Sequence, residues 1–451
     1  MTHAEQNAGG PYPRRWMRQD EALQVMTLGL RVGEVMLESS VATSDVQDAV
    51  RRVIEALGLE GCEVSVTLDV ITLNHLDPSL DAPLTLVRVV RIGEPRLDRL
   101  VALEALVRKI HDGRLDVATA AREIEHFDRV DTRHPRWATL TGLLISAAAW
   151  VMFAGGGAVG AIAAVLAALV NEVVLAPLNR TRIPTVFVTF LSAVVVATVP
   201  NLFAFLELPV AVLPAVVGGL YPLLPGGLLV ASVTDGLSGA PLSSLAKGLE
   251  ATVVASAVAL GVVATLSVAD HLGIESGTER PVISTVFTVL MAALAVSGLA
   301  VARSMPMRLV PATAAIAMAA WLVNRLLWEA GYNQILALFT AAVVVGLGGQ
   351  LAALLHRTAA VVHTTSSVYV LVPGFTFYVA MVALARSDAD AGLPVMVDAI
   401  GRAGAIAAGV ALGVALGRSV PAPRPRVALW RRGNRRGVPR AQAGVPRRRS
   451  S

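Results

Sequence analysis

The sequence predicts a polytopic α-helical membrane protein: ten transmembrane helices in two inverted five-helix modules, preceded by a small soluble α+β domain. Three observations carry this expectation. Hydrophobic residues make up 55 % of the chain and charged residues 16 %, with mean hydropathy +0.63, too apolar for a soluble fold of 451 residues. Between Trp137 and Leu416 ten apolar segments follow one another, most of them near the ~20 residues that cross a ~30 Å hydrocarbon core. The fourth and ninth segments each carry a Pro-Gly step, Pro225-Gly226 and Pro373-Gly374, 148 residues apart.

Residues 1–19 are polar, and 20–135 hold charge at the density of an ordinary soluble domain. Within that domain Leu23, Met26, Leu30 and Leu37 share a helical period from Asp20 to Leu37. Ser44-Asp45-Val46-Gln47 reads as a capping box opening a second helix that ends at Gly58. Cys62 to Leu68 alternates as a strand, Leu84 to Ile92 is a second one, and Leu97–Ile110 and Val117–Phe127 read as helices. About 110 ordered residues can bury a core of their own.

The membrane part divides into 136–270 and 281–418. Its spans are Trp137–Met152, Val159–Val174, Pro184–Pro200, Pro209–Val233, Leu242–Val268, Val282–Ala302, Leu309–Leu327, Asn333–Leu355, Ser367–Leu384 and Leu393–Leu416. Gly155-Gly156-Gly157 joins the first two, which are short enough to be one kinked element. An odd number of spans per half makes the second half enter from the opposite face, which defines inverted repeats. Outside the Pro-Gly steps no residue-by-residue match between the halves is evident.

Residues 1 to 20 lack an apolar core before a small-residue cleavage site, so a cytoplasmic soluble domain is expected. Arg180, Arg182, Lys247, Arg303, Arg308 and Arg357 then fall in inner loops, against Arg280, Arg325 and Arg386 outside. That asymmetry follows the positive-inside rule and puts both termini in the cytoplasm. The tail, 419–451, reads as disordered and carries ten Arg and no acid between Arg424 and Arg449; without them the formal net charge of +5 becomes −5. The basic character is thus a juxtamembrane feature suited to anionic lipid rather than to nucleic acid, which would need a folded reader.

The lone Cys62 excludes an internal disulfide and a multi-thiolate metal centre. His75, His111, His126 and His134 lack metal-ligand spacing, and no nucleophile elbow or P-loop is present, so no catalytic residue, metal or cofactor is assigned. Thr67, Asp69, Thr72, Asn74 and His75 form a polar cluster at a strand end, the residual candidate for chemistry in the soluble domain.

A Pro-Gly step in a lipid-embedded helix costs about 3 kcal/mol for Pro and about 1 for Gly relative to Ala, and persists where the freed backbone finds other partners. Broken helices at corresponding positions of two halves point to a secondary transporter's binding site. Pro225, Gly226, Gly227, Pro373 and Gly374 are therefore the candidate substrate-binding residues, with Thr376 and Tyr378 just beyond the second break. Asp398 and Arg402, four apart on one helix face, suit a coupling site or a structural ion pair. Asp235 closes the fourth span and Glu172 the second, and both are coupling candidates. His356 and His363 flank the inner loop after the eighth span and are expected to be accessible there.

The chain resembles the threonine/serine exporter family (ThrE). The likeness runs through Leu28-Gly29-Leu30-Arg31-Val32-Gly33-Glu34-Val35-Met36-Leu37, through Val64-Ser65-Val66-Thr67 with Ile71-Thr72-Leu73, and through Leu224-Pro225-Gly226 with Asp235-Gly236-Leu237 and Gly239. It ends on Leu371-Val372-Pro373-Gly374. One departure is Ser39-Ser40-Val41-Ala42, where the family has a Gly-Ala-containing stretch. The resemblance implies export of threonine and serine, driven by the proton motive force, with the substrate and protons as the partners. Two alternatives remain at this stage: a dicarboxylate exporter, and a membrane-anchored enzyme or sensor acting through the soluble domain.

Overall fold

The computed structural model describes residues 18–39, 41–76, 83–90, 96–129, 133–175, 177–178, 181, 183–274 and 283–419. The soluble domain runs α1 (Gln19–Glu38), α2 (Thr43–Ala56), β1 (Cys62–Thr67), β2 (Val70–His75), β3 (Leu84–Val89), α3 (Leu97–His111) and α4 (Val117–Arg129). The sheet is antiparallel in the order β1-β2-β3, with Val66 opposite Ile71 and Leu73 opposite Leu86. Val64, Val66, Ile71 and Leu73 point to the helices and share one buried core with Met26, Val50, Ile54 and Leu100.

Two expectations for this domain are corrected. A second strand, β2, follows β1 through a turn in which Leu68 takes φ 53°, and it splits the proposed polar cluster. Ile71, Leu73 and His75 are buried while Asn74 lies on the opposite face, accepting a 2.9 Å bond from Thr85. The capping box does not form either: α2 starts two residues earlier, and its N-cap, Ala42, has no hydrogen-bonding side chain to offer. Its cap comes from elsewhere in the chain, as described below.

The bundle comprises α5 (Arg136–Ala154), α6 (Gly157–Val170), α7 (Thr185–Phe205), α8 (Val212–Leu220), α9 (Gly226–Leu237), α10 (Pro241–His271), α11 (Thr285–Ala302) and α12 (Val310–Glu329). It continues with α13 (Gln334–His356), α14 (Ala360–Ser367), α15 (Gly374–Ala385) and α16 (Ala389–Arg418). Among the described residues eight helices, some extended by a short 3-10 or π turn, are long and apolar enough to span a bilayer. Two bent pairs, Val212–Leu223 with Gly226–Leu237 and Ala360–Leu371 with Gly374–Leu384, raise the number to ten if each is one span. No more than 44 % of any of the eight spanning windows is buried, and the outward faces stay apolar, as at Leu245, Leu260 and Val286. Such a surface is stable facing lipid, so this is a multi-pass membrane protein.

α5 and α6 are separate helices, because Gly155 at φ 93° ends α5 in the left-handed region. The second span runs past Asn171-Glu172 as a π turn to Leu175. The ninth begins at Ala360, seven residues before the expected Ser367, since the short polar run His363-Thr364-Thr365-Ser366-Ser367 is helical and mostly buried.

Small residues let the helices approach closely, as three of the crossings illustrate. A Cβ added to Gly298 of α11 would lie 2.6 Å from the Gly142 carbonyl of α5. One added to Gly261 of α10 would lie 2.6 Å from the Phe190 carbonyl of α7, and one at Gly409 of α16 would lie 2.4 Å from the Phe339 carbonyl of α13. The last two crossings correct the view that the halves lack matching residues. Phe190-x-x-Ala193-Val194-Val195-Val196 corresponds to Phe339-x-x-Ala342-Val343-Val344-Val345, and Ala257-x-Ala259-x-Gly261-Val262 to Ala405-x-Ala407-x-Gly409-Val410.

Candidate functional site

The two breaks have nearly the same backbone. Pro225 lies at φ −80°, ψ 47° and Pro373 at φ −79°, ψ 50°, and each pair bends by 50°. In each, the Gly amide donates to the carbonyl two residues back at 2.8 Å, Gly226 to Leu224 and Gly374 to Val372. The next helix starts at that Gly with no side-chain cap, so its first amides and positive dipole end lie at the break.

The breaks face one another. A Cβ on Gly226 would meet Val372 at 3.7 Å and Tyr369 at 3.9 Å, and one on Gly374 would meet Tyr221 at 3.6 Å and Leu224 at 3.7 Å. Tyr221 and Tyr369 each stand four residues before the Pro, in Tyr221-Pro222-Leu223-Leu224-Pro225-Gly226 and Tyr369-Val370-Leu371-Val372-Pro373-Gly374. These tyrosines were missed from the sequence. Aligning the two hexapeptides on Pro-Gly would have found them.

A cavity of about 1660 Å³ opens beside the breaks on the side that carries the soluble domain. Leu224, Pro225, Gly227, Thr365, Tyr369 and Arg303 are part of its wall. Arg303 donates to the Tyr369 hydroxyl at 2.9 Å with its guanidinium carbon 4.9 Å from the ring centre, and that hydroxyl reaches the Leu224 carbonyl at 3.4 Å. Soluble-domain residues Asp45, Asp48, Arg52 and Glu104 also line the cavity. Burial pushes the Glu104 carboxyl above the usual carboxylate range, with Arg108 and Arg52 pulling against that rise and Asp45 adding to it.

Tyr221 has a different setting. It stacks on Trp150 with centroids 4.3 Å apart, and Phe153 lies edge-on to Tyr221, to Trp150 and to Trp321. Tyr221 is thus packed among rings and is not part of the cavity wall, whereas Tyr369 is.

Of the predicted polar residues, Asp235 is the most deeply placed. It is fully buried and pairs at 2.7 Å with Lys247 of α10, itself only 2 % exposed. Lys247 therefore lies inside the protein and is not an inner-loop cation. The second Asp235 oxygen accepts the Thr43 backbone amide at 2.7 Å, which supplies the missing cap of α2. Asp398 and Arg402 form the expected pair at 2.6 Å, partly exposed, and Arg402 also donates to Thr376 at 3.1 Å. Those three residues make a second polar group just beyond the second break.

Tyr378 is buried, and neither it nor Thr376 is part of the cavity wall. Glu172 is exposed at the end of its span and joins none of these groups. His363 is also buried, within 2.8 Å of the Thr313 hydroxyl, so it does not flank a solvated loop as expected; His356 is part-exposed and bonds the Ala352 carbonyl.

Comparison with known proteins bears on this arrangement. A family model described as "Putative threonine/serine exporter" matches residues 27–269, which is more than half of the chain. The chain belongs to the threonine/serine exporter family. A second model of this family, "Threonine/Serine exporter, ThrE", matches residues 288–416, so the boundary between the matches falls between α10 and α11. A Mycobacterium tuberculosis protein named "Probable threonine/serine exporter" is 28 % identical over 398 residues, 86 % of this chain and 75 % of that protein. The "Threonine/serine exporter" of Corynebacterium glutamicum is 26 % identical over 244 residues, covering 53 % of this chain and 50 % of its own length. No solved structure matches the chain. Both Pro-Gly breaks and the Asp235–Lys247 pair of this exporter-family chain lie inside the matched segments.

Proposed function

We propose that this chain is a secondary transporter exporting threonine or serine across the inner or plasma membrane by proton antiport, through one site held between the two breaks. The observation that carries this reading is the facing pair of breaks, Gly226 against Tyr369 and Gly374 against Tyr221, beside a cavity whose wall includes Pro225, Gly227 and Tyr369 but not Pro373 or Gly374. Helix-end amides and carbonyls freed there suit the carboxylate and ammonium of a zwitterion without many buried charges.

On this reading the halves are inverted five-span modules, and the repeated Phe-x-x-Ala-Val-Val-Val and Gly261/Gly409 contacts support that duplication. With both termini cytoplasmic, the cavity faces inward and the Trp150–Tyr221 stack closes the outer side. The structure is then the inward-facing member of an alternating-access pair. The loop cations Arg180, Arg182 and Arg280 and the Arg-rich tail, on which the orientation partly rests, lie outside the described residues.

Counterflow in proteoliposomes with labelled threonine, serine and succinate side by side tests the substrate. Exchange of succinate alone would replace the amino-acid reading with a dicarboxylate one. One proton crossing 100 mV supplies about 2.3 kcal/mol, roughly 1.7 decades of concentration ratio. Uphill efflux is therefore expected to collapse with a protonophore, and its survival in ATP-depleted vesicles would rule out proton antiport.

A further inference from the structure

The soluble domain touches both halves of the bundle, and the two contacts differ in kind. Toward the second half it has an apolar seam with polar bonds around it: Met305, Leu309 and Val362 belong to the same buried core as Leu100, Leu103 and Ile54. His134 bonds the Met305 carbonyl at 2.8 Å, Arg108 donates to the Arg357 carbonyl, and Arg418 at the end of α16 pairs with Asp45 at 2.7 Å. Toward the first half the recorded bonds are polar. Asp235 caps α2 through Thr43, Lys247 holds Asp235 and reaches the Val41 carbonyl at 3.5 Å, and the Ser243 hydroxyl accepts the Leu68 amide at 3.0 Å.

The residues that make the polar contact sit on one rigid hairpin. α9 and α10 are joined through Gly239 at φ 83°, and Ser232 bonds the Ser244 carbonyl at 2.7 Å across the pair. A Cβ at Gly236 would lie 2.9 Å from the Ser244 hydroxyl, so the helices cannot part locally without losing that packing. The hairpin leads straight back to Pro225. Any rotation of α9 about the first break therefore moves Asp235, ten residues on, against α2.

We propose that the soluble domain is a strap across the mouth of the cavity, anchored on the second half by its apolar seam and latched to α9 by Asp235 and Lys247. The two contacts differ in the cost of release. Opening the seam exposes apolar surface to water, whereas opening the latch returns two desolvated charges to water, which offsets the lost ion pair. The polar side is thus the one that lets go when the halves move. Release frees the wall formed by Asp48 and Arg52 of α2 to move away from α9 and α10 and widens the cytoplasmic access. The inference rests on the proposed function only in taking the cavity as the solute path.

The test uses full-length protein with Cys62→Ser and compares two doubles, Asp235→Asn/Lys247→Met and Asp235→Ala/Lys247→Met. Both remove the charges together, so neither strands one, but only Asn keeps an oxygen for the Thr43 amide. Spin labels at Asp48→Cys and Glu250→Cys, exposed positions on α2 and α10, report the distance across the latch. A cysteine at Thr365, 3.9 Å from where a Gly227 Cβ would stand, reports access to the break through its rate of labelling by an impermeant maleimide in inside-out vesicles.

The Ala double is expected to broaden and lengthen the distance distribution and to label at least tenfold faster, while the Asn double stays within twofold of the parent. Release in both doubles would also support the latch and assign it to the charge pair rather than the cap. Should the Ala double fail to insert, Ser243→Ala serves, with an expected threefold rise in labelling. Unchanged distance and labelling in the Ala double, or in Ser243→Ala where that stands in, would overturn the strap. Neither readout involves a transported solute, so failure of threonine and serine counterflow would count against the proposed function alone.

Discussion

The two breaks share a backbone and differ in everything around it. At the second, Tyr369 carries Arg303 on its ring and lines a wide cavity; at the first, Tyr221 is buried, stacked on Trp150 with Phe153 edge-on. The half-helix after the first break ends on a fully buried ion pair that reaches the soluble domain, while the one after the second meets Arg402, the partner of Asp398, at Thr376, two residues past Gly374. A repeated motif therefore sets the backbone geometry of both breaks, and the unrepeated neighbours decide which tyrosine lines the cavity. On the proposed function, that is the form an alternating-access protein takes in one of its two states.

The comparison breaks most sharply at the glycines. At Gly226 and Gly374 a Cβ would stand at ordinary contact distance, 3.6 to 3.9 Å from the facing half. Ala at either position is expected to keep transport within a few-fold, whereas Leu fills the space between the breaks and is expected to lower counterflow at least 100-fold with normal membrane insertion. Wild-type flux in both Leu variants would make the breaks simple kinks and move the site to Asp398 and Arg402.

Next in size is the contrast between the ion pairs. Lys247→Met alone leaves Asp235 buried and unpaired, at a cost of about 3–5 kcal/mol, read as a large fall in thermal stability in detergent. Arg402→Gln removes a partly exposed partner and is expected to cost about 1 kcal/mol or less. Equal losses would mean that the two pairs play the same structural part.

A smaller effect concerns the closed side. Trp150→Ala removes the ring stacked on Tyr221, and a cysteine placed at Gly374 is then expected to label about tenfold faster from outside, with labelling from inside unchanged. No gain in outside labelling would place the outer seal elsewhere.

The smallest effect sharpens the reading of the soluble domain. Burial raises the Glu34 carboxyl, but its bonds to Arg31 at 2.6 Å and Arg88 at 2.8 Å prevail and hold it below the usual carboxylate range. A depressed folded-state value contributes stability that is present above the unfolded carboxylate value and lost as pH falls through the folded one. Glu34→Gln should therefore flatten the acid limb of the domain's unfolding profile and leave the apolar seam to Met305 and Leu309 intact. An unchanged acid limb would show that the Arg pair adds nothing.

Much of this was legible in the sequence because it is local. Apolar runs of spanning length, Pro-Gly inside two of them, and the periodicity of α1, α3 and α4 are set by neighbours within a few residues, and hydrocarbon leaves a backbone few options. The Asp398–Arg402 pair was legible for the same reason, being one turn apart on a single helix.

What only the tertiary structure decided is long-range. Thr43 and Asp235 are 192 residues apart, and a capping box at Ser44 is the better local reading until a buried carboxylate arrives from α9 to bond the Thr43 amide. Lys247 looks like a loop cation until α9 and α10 fold back and remove it from water, where only a partner such as Asp235 makes its charge tolerable. Which of the two tyrosines faces a cavity and which is packed shut depends on Trp150 and Arg303, from helices that no spacing rule connects to either break. The chain's chemistry determined where its helices break; the contacts between distant segments determined what each break faces.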